Sequence, residues 1–386
     1  MAVLSHFKGT PHIAALCLFL FCAFPIAAQP PLQQLLAEGS RALQTGDNAT
    51  AESKFRQALQ LDPASVATLN NLAIALTRAG KGEEAIGFYR QALKVQPGDL
   101  PTTRNLAIAY FKNQNYENAW PLLQHLCAKA PDFQALDLAG LTLFALDRYK
   151  QSAEYLERAS GLQPSDLTTL DLLGKAYMRA KNYEGATGVF ARLMAVNPDS
   201  AEAHVMMGMA YDKMSRDEEA RAEYEAANRA DPRYPGVHSG LGQIYWKEGK
   251  LDKATEEFET ELRRFPSDPV ANGLLADILL KQNEPEKAGD HYRAAALANP
   301  KYKEAWFGLG KSKLMLERPS EALEPLQKAL ALDRDYIQAH YALGTAYRKL
   351  GRADAAVKEM KTAESIQARQ RSSYSRKLGA EAPPRQ

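Results

Sequence analysis

His204, His238 and His340 are the side chains in this 386-residue sequence that most readily suggest chemistry, because an imidazole can bind zinc or move a proton near neutral pH. A zinc site takes three or four converging ligands, and neither HExxH nor CxxC spacing occurs here. The histidines are instead separated by one interval of 34 residues and then by three more such intervals, so they share one register position. That predicts packing at a helix contact. Cys127 is the one thiol outside the first 28 residues, too few for an internal disulfide or a multi-cysteine metal site. Glycine-rich phosphate loops and GxSxG nucleophile turns are absent. Acidic pairs such as Glu218-Glu219 fall on expected solvent faces, with no pocket to shift their pKa values. The expectation is a protein without catalytic residues, metal or cofactor.

The elements that hold these residues are legible from composition and period. The chain is 45% hydrophobic and 24% charged, with a net charge of +2, so nothing marks the whole molecule as a nucleic-acid binder. Residues 1–28 stand apart. Lys8 is their only formal charge, Ile13 to Phe24 is unbroken apolar sequence, and Pro25-Ile26-Ala27-Ala28 ends in small residues. This order reads as a secretory signal peptide cleaved near Ala28, because the run is short of the roughly 20 residues that span a bilayer. It predicts an exported protein, periplasmic or extracellular, of a bacterium.

Prolines set the rest. Pro63, Pro97, Pro131, Pro164, Pro198, Pro232, Pro266 and Pro300 lie 34, 34, 33, 34, 34, 34 and 34 residues apart. A fixed period of this size marks stacked supersecondary units. Each period reads as two helices, A and B, parted by a polar turn and closed by proline. Ser65, Asp99, Asp132, Asp166, Ser200 and Asp268 stand where A helices should begin and can cap free N–H groups. The eighth place of every period is Gly or Ala, the twentieth is Ala or Ser, and the twenty-fourth is large, as in Gly174, Ala186 and Phe190. Small residues allow close helix approach, and the large one fills the space between.

This pattern resembles the tetratricopeptide repeat family over about Leu32 to Ala368. Ten repeats are assigned: 32–65, 66–99, 100–132, 133–166, 167–200, 201–234, 235–268, 269–302, 303–336 and 337–368. Departures are Glu38 at a usually apolar place, a fourth repeat one residue short, Glu261 where Ala is usual, and Arg334 in place of a closing proline. The resemblance implies an all-α, right-handed superhelical α-solenoid of stacked antiparallel helix pairs, with a groove lined mainly by A helices. Residues 369–386 carry Arg369, Arg371, Arg376, Lys377 and Arg385 against Glu381, and read as a frayed helix end passing into a basic, disordered tail. Such a tail could touch an anionic membrane, although a solubilising role is the simpler reading.

If A helices line the groove, places 2, 5, 6, 9, 12 and 13 face it. They supply Leu141, Phe144, Met178, Met206, Met209, Trp246, Phe307, Leu314 and Met315, an adaptable apolar stretch. Some of these side chains could equally be ordinary core. Asn70, Asn71, Arg104 and Asn105 make the N-terminal part more polar, suited to a peptide backbone. A carboxylate clamp is incomplete, since Ser40 and Ile74 occupy ninth places where Asn would serve. The thirteenth place holds Arg78, Lys112, Arg179, Lys213, Lys247, Lys281 and Lys349, a basic ladder that could attract an acidic chain or could simply complement helix dipoles. The function expected is a scaffold or adaptor holding a protein or peptide, in envelope assembly or secretion. The alternative is a carrier of lipid or another apolar small molecule in the same groove. No nucleic-acid partner is expected.

Overall fold

The computed structural model describes the backbone of residues 31–381 and the side chains of residues 31–372. The signal peptide expected at 1–28 lies outside the described residues. The chain divides between Leu122 and Leu123 into two compact bodies. The first contains α1 (Pro31–Thr45), α2 (Asn48–Leu61), α3 (Val66–Arg78), α4 (Gly82–Val95), α5 (Leu100–Lys112) and the first half of α6 (Tyr116–Lys129). The second continues with α7 (Phe133–Ala145), α8 (Tyr149–Leu162), α9 (Leu167–Arg179), α10 (Tyr183–Val196), α11 (Ala201–Lys213), α12 (Asp217–Ala230) and α13 (Val237–Lys247). It ends with α14 (Leu251–Arg264), α15 (Pro269–Lys281), α16 (Pro285–Ala298), α17 (Lys303–Met315), α18 (Pro319–Leu332), α19 (Ile337–Lys349) and α20 (Ala353–Glu381). The architecture is an all-α array of helical hairpins, with no strand among the described residues. Within each body a hairpin packs its two helices together and sets its second helix against the next hairpin.

The local chemistry explains the starts and stops. Ser65, Asp99, Asp132, Asp166, Ser200 and Asp268 each accept a backbone N–H three residues on, satisfying a donor that a helix start leaves free. Inside every hairpin the fifteenth residue has positive φ, from 56° at Glu317 to 82° at Gly46. That left-handed residue reverses the chain in a very short turn. Six of the ten positions are not glycine, among them Lys181 and Asn283, and carry a conformational cost of about 1 kcal/mol each.

Packing follows the small–large rule. A Cβ on Gly140 would stand 2.4 Å from Leu156 Cγ, and one on Gly242 2.6 Å from Phe258 Cε1. The twentieth-place residues from Ala51 to Ala322 that border these contacts are fully buried. Ser152 fits among them by donating its hydroxyl to the Gly140 carbonyl at 2.8 Å.

The histidines do pack at a helix contact. His204, His238 and His340 face a glutamate nineteen residues later, Glu223, Glu257 and Glu359, at 2.7, 2.7 and 2.6 Å from Nδ1. Trp306, in the same register, donates Nε1–H to the Pro300 carbonyl at 3.0 Å, and His340 Nε2 faces the Arg334 carbonyl at 3.0 Å. Asn272 serves unit eight the same way, donating to the Pro266 carbonyl at 2.9 Å while its own carbonyl accepts from His291 Nδ1. The fourth side chain thus ties the closing turn of one hairpin to the second helix of the next. Arg334 can replace proline there because only its carbonyl is used.

The Glu257 carboxylate raises the His238 pKa; burial opposes it, and Glu261 and the Pro232 carbonyl add to it. A raised histidine contributes stability fully below its unfolded value near 6.5, and that contribution is lost as pH rises through the higher folded value. His238→Gln is expected to flatten the fall in thermal midpoint between pH 6 and pH 8. An unaltered slope in a melting series would remove His238 as its source.

Two departures from the repeat gain an explanation. Glu38 pairs with Lys54 at 2.6 Å and stays partly exposed. Glu261, 1% exposed, caps α13 from a different helix. Gly236 precedes α13 with φ 87° and has no capping side chain, so the Glu261 carboxylate accepts from the N–H groups of Gly236, His238 and Ser239 at 2.8, 3.1 and 3.2 Å. Burial pushes the Glu261 carboxyl above its ordinary value, against the pull of these donors.

Of the tail expected at 369–386, α20 carries helical backbone to Glu381, and residues 382–386 lie outside the described residues. Between Ala353 and Glu381 there is no proline and Gly379 is the lone glycine, so nothing there breaks a helix. Arg369 is also held, by Asp335 at 2.6 Å.

Candidate functional site

In the first body the polar groove residues lie half-buried on α3 and α5. Asn105 donates Nδ2–H to Asn70 Oδ1 at 3.0 Å, joining the fifth place of one repeat to the sixth of the next. Asn71 and Arg104 flank that pair, also half-buried. Arg78 turns back to donate to the Leu43 carbonyl at 2.8 Å, and Lys112 is exposed.

In the second body the predicted apolar residues separate into groups. Phe144 packs edge-on to Tyr149, with centroids 5.2 Å apart, and Leu141 is half-buried on the same helix. Met178 and Met206 pack together on the cluster around Phe190. Met209 and Met315 are exposed, at 39% and 40%, while Leu314 packs near Leu326. Trp246 joins the Phe258 cluster, and Phe307 packs against Tyr336 at 5.1 Å.

Trp246 and Phe307 share a cavity of about 450 Å³. Its walls also include Asp277, Leu280, Lys281, Tyr292, Glu304, Lys311 and Tyr336. Trp246 also borders a second cavity of about 320 Å³ with Lys213, Gln243, Lys247, Val270, Leu274 and Tyr302. Apart from Pro269 at the first place, the lining residues on α13, α15 and α17 occupy places 2, 5, 6, 9, 12 and 13 of their repeats. The A-helix faces therefore carry both cavities. A shallower hollow of about 610 Å³ lies along α20, lined largely by charged side chains.

The electrostatics are specific. Asp277 accepts the Tyr292 hydroxyl, and burial raises its carboxyl above the ordinary range. Burial pushes the phenols of Tyr302 and Tyr336 up to about 12, so both remain donors at neutral pH. Asp212, 9% exposed, receives Lys247 at 2.6 Å, Gln243 at 2.9 Å and Lys213 at 3.3 Å. Burial works against the Lys247 charge, but Asp212 and Asp217 outweigh it and raise its pKa.

The basic ladder is largely engaged within the chain. Lys247 reaches Asp217 at 2.6 Å, Lys349 reaches Glu317 at 2.5 Å, Arg179 lies 5.8 Å from the Tyr149 ring and Lys281 5.7 Å from the Trp246 ring. Most of these contacts run back to the preceding hairpin.

Sequence reasoning missed Asp212, Asp277, Glu304 and the tyrosines 292, 302 and 336. The available signal was Asp212 at the twelfth place of an A helix, where the flanking repeats carry Met178 and Trp246; Asp277, at a ninth place flanked by Gln243 and Lys311, gave none. Tyr292 stands out in the period only as a space-filling twenty-fourth residue. Among the described residues no group of three or more His, Cys, Asp or Glu could hold a metal ion.

Models of the tetratricopeptide repeat match residues 36–99, 239–302 and 274–337, residues 177–244 and 313–379, and residues 133–166. No curated protein matches. Among solved structures, MamA is 23% identical with a TM-score of 0.38, over 43% of this chain and 97% of its own. YrrB, described as a TPR protein with an unusual peptide-binding site, is 22% identical with a TM-score of 0.40, over 46% and 92%. Yeast Tom70 is 14% identical with a TM-score of 0.39, over 88% and 96%.

Proposed function

Because the chain belongs to the tetratricopeptide repeat family, we propose that it is a non-catalytic scaffold whose A-helix face between α11 and α19 holds an extended segment of another protein. The observation that carries this reading is the placing of Trp246, half-buried, as the common wall of two neighbouring cavities. An indole in such a place offers a large rigid contact area, the kind of residue that dominates binding energy at protein interfaces. Two adjoining hollows suit successive side chains of one extended strand of peptide. An acyl chain fits less well, because Asp277, Glu304, Lys281 and Lys311 charge the larger hollow.

The proposal extends to location. The apolar run Ile13 to Phe24 and the small residues after it support export, and with it a role among envelope or secreted proteins.

Crosslinking the protein in its own compartment, followed by identification of the attached chain, supplies the partner segment for a direct test. Trp246→Ala is expected to weaken that segment's binding by about 2 kcal/mol, near thirtyfold, with helix content by circular dichroism retained. Met209→Ala is the gentler companion, since Met209 is exposed, whereas Met206→Ala would also loosen the Phe190 cluster. Wild-type affinity in the Trp246 variant would exclude this face as the binding surface. A co-purifying lipid seen by native mass spectrometry would favour the carrier instead.

A further inference from the structure

We propose that the larger cavity receives a basic side chain, lysine or arginine, of the bound peptide, with Asp277 as its counter-ion. This rests on the reading of the A-helix face as a peptide site and assigns the chemistry of one position in that peptide.

Asp277 sits half-buried on α15 and its carboxylate holds one hydrogen bond, from the Tyr292 hydroxyl. Among the described residues no lysine or arginine forms an ion pair with it. Lys281 and Lys311 act on it only through space, and Lys281 lies over the Trp246 ring. A carboxylate removed from water without a cation in contact is unfavourable, and such groups in clefts are candidates for a functional role. The rings of Trp246, Phe307 and Tyr336 border the same hollow, and aromatic faces attract ammonium and guanidinium groups. Glu304 adds a second carboxylate to the lining. A cavity of about 450 Å³ is ample for the alkyl stem and head of lysine or arginine. A neutral apolar side chain would bury Asp277 further and leave it uncompensated, so the site discriminates by charge as well as by shape.

The test uses the full chain and an array of random, end-capped octapeptides, which removes terminal charges from the ligand. Bound peptides are expected to share a lysine or arginine at one position. Replacing that residue by norleucine or citrulline is expected to weaken binding at least tenfold. Asp277→Asn keeps the size of the side chain and an acceptor for Tyr292. It should weaken the basic peptide at least tenfold, tighten the norleucine peptide by relieving the uncompensated charge, and keep or raise the thermal midpoint. Equal wild-type affinity for the basic and norleucine peptides would overturn the assignment while leaving the peptide reading intact, and this comparison needs no variant. The assignment also falls if Asp277→Asn weakens both peptides alike. Failure of every octapeptide to bind would overturn both. Free agmatine should compete only at far higher concentration than the peptide; competition at the peptide's own concentration would reassign the cavity to a small amine.

Discussion

Gly174→Leu is expected to destabilise the second body by about 3 kcal/mol, near the upper end for overpacking a filled core. A Cβ on Gly174 would lie 2.5 Å from Phe190 Cε1, and Phe190 is 1% exposed. Even Gly174→Ala should lower stability, although alanine is favoured over glycine in a helix by about 1 kcal/mol. Gly188 provides the opposite sign within the same hairpin. It lies in α10 with nothing within 4 Å of a built Cβ, so Gly188→Ala should stabilise by about 0.5–1 kcal/mol through helix propensity alone. Urea titrations of the three variants would decide. Matching signs for the two alanine substitutions would contradict the close approach of α9 and α10 at Phe190.

Glu261→Ala is expected to cost about 2–4 kcal/mol, because a single truncation strips an acceptor from three backbone donors in a buried place. Those donors belong to Gly236, His238 and Ser239, at the start of a helix that has no cap of its own. Glutamine should rescue only in part. Its one carbonyl oxygen replaces two acceptor oxygens, and its NH2 group would be turned toward an N–H. The loss should appear first as faster amide exchange at residues 236–240 and then as a lower midpoint. Protection of those amides equal to wild type would show that water or another group serves the helix start.

These two cases mark how far the sequence speaks. Gly174 and Phe190 were readable because both follow the 34-residue period: a small eighth residue and a large twenty-fourth have meaning only together, and repetition displays them together. Glu261 was readable as an anomaly and no further. Its partners lie on another helix more than twenty residues away, and nothing in a local pattern points to them. The proposed binding face divides in the same way. Trp246 and Phe307 stand at places that the repeat turns toward the groove, so the period exposes them. Asp277 depends on the Tyr292 hydroxyl from the following helix, a contact without sequence periodicity. The ladder of cations shows the opposite limit. The period revealed every member, yet the acids that Lys247 and Lys349 grip, Asp212, Asp217 and Glu317, sit in the preceding hairpin at places with no repeated acid. In the tail, charge and serine content speak to solvation, whereas the absence of a helix breaker before Pro383 bears on the backbone through Glu381.

The larger cavity draws its walls from α13, α15, α16, α17 and the residue that opens α19. In a linear array, stability passes between adjacent hairpins only, so the free protein can fray one hairpin at a time. An occupant of that cavity would touch several hairpins at once and act as a splint across them. Unfolding of residues 237–349 would then change from piecemeal to collective, with a sharper urea transition and amides that exchange together. Cargo would set the stiffness of the carrier as well as fill it.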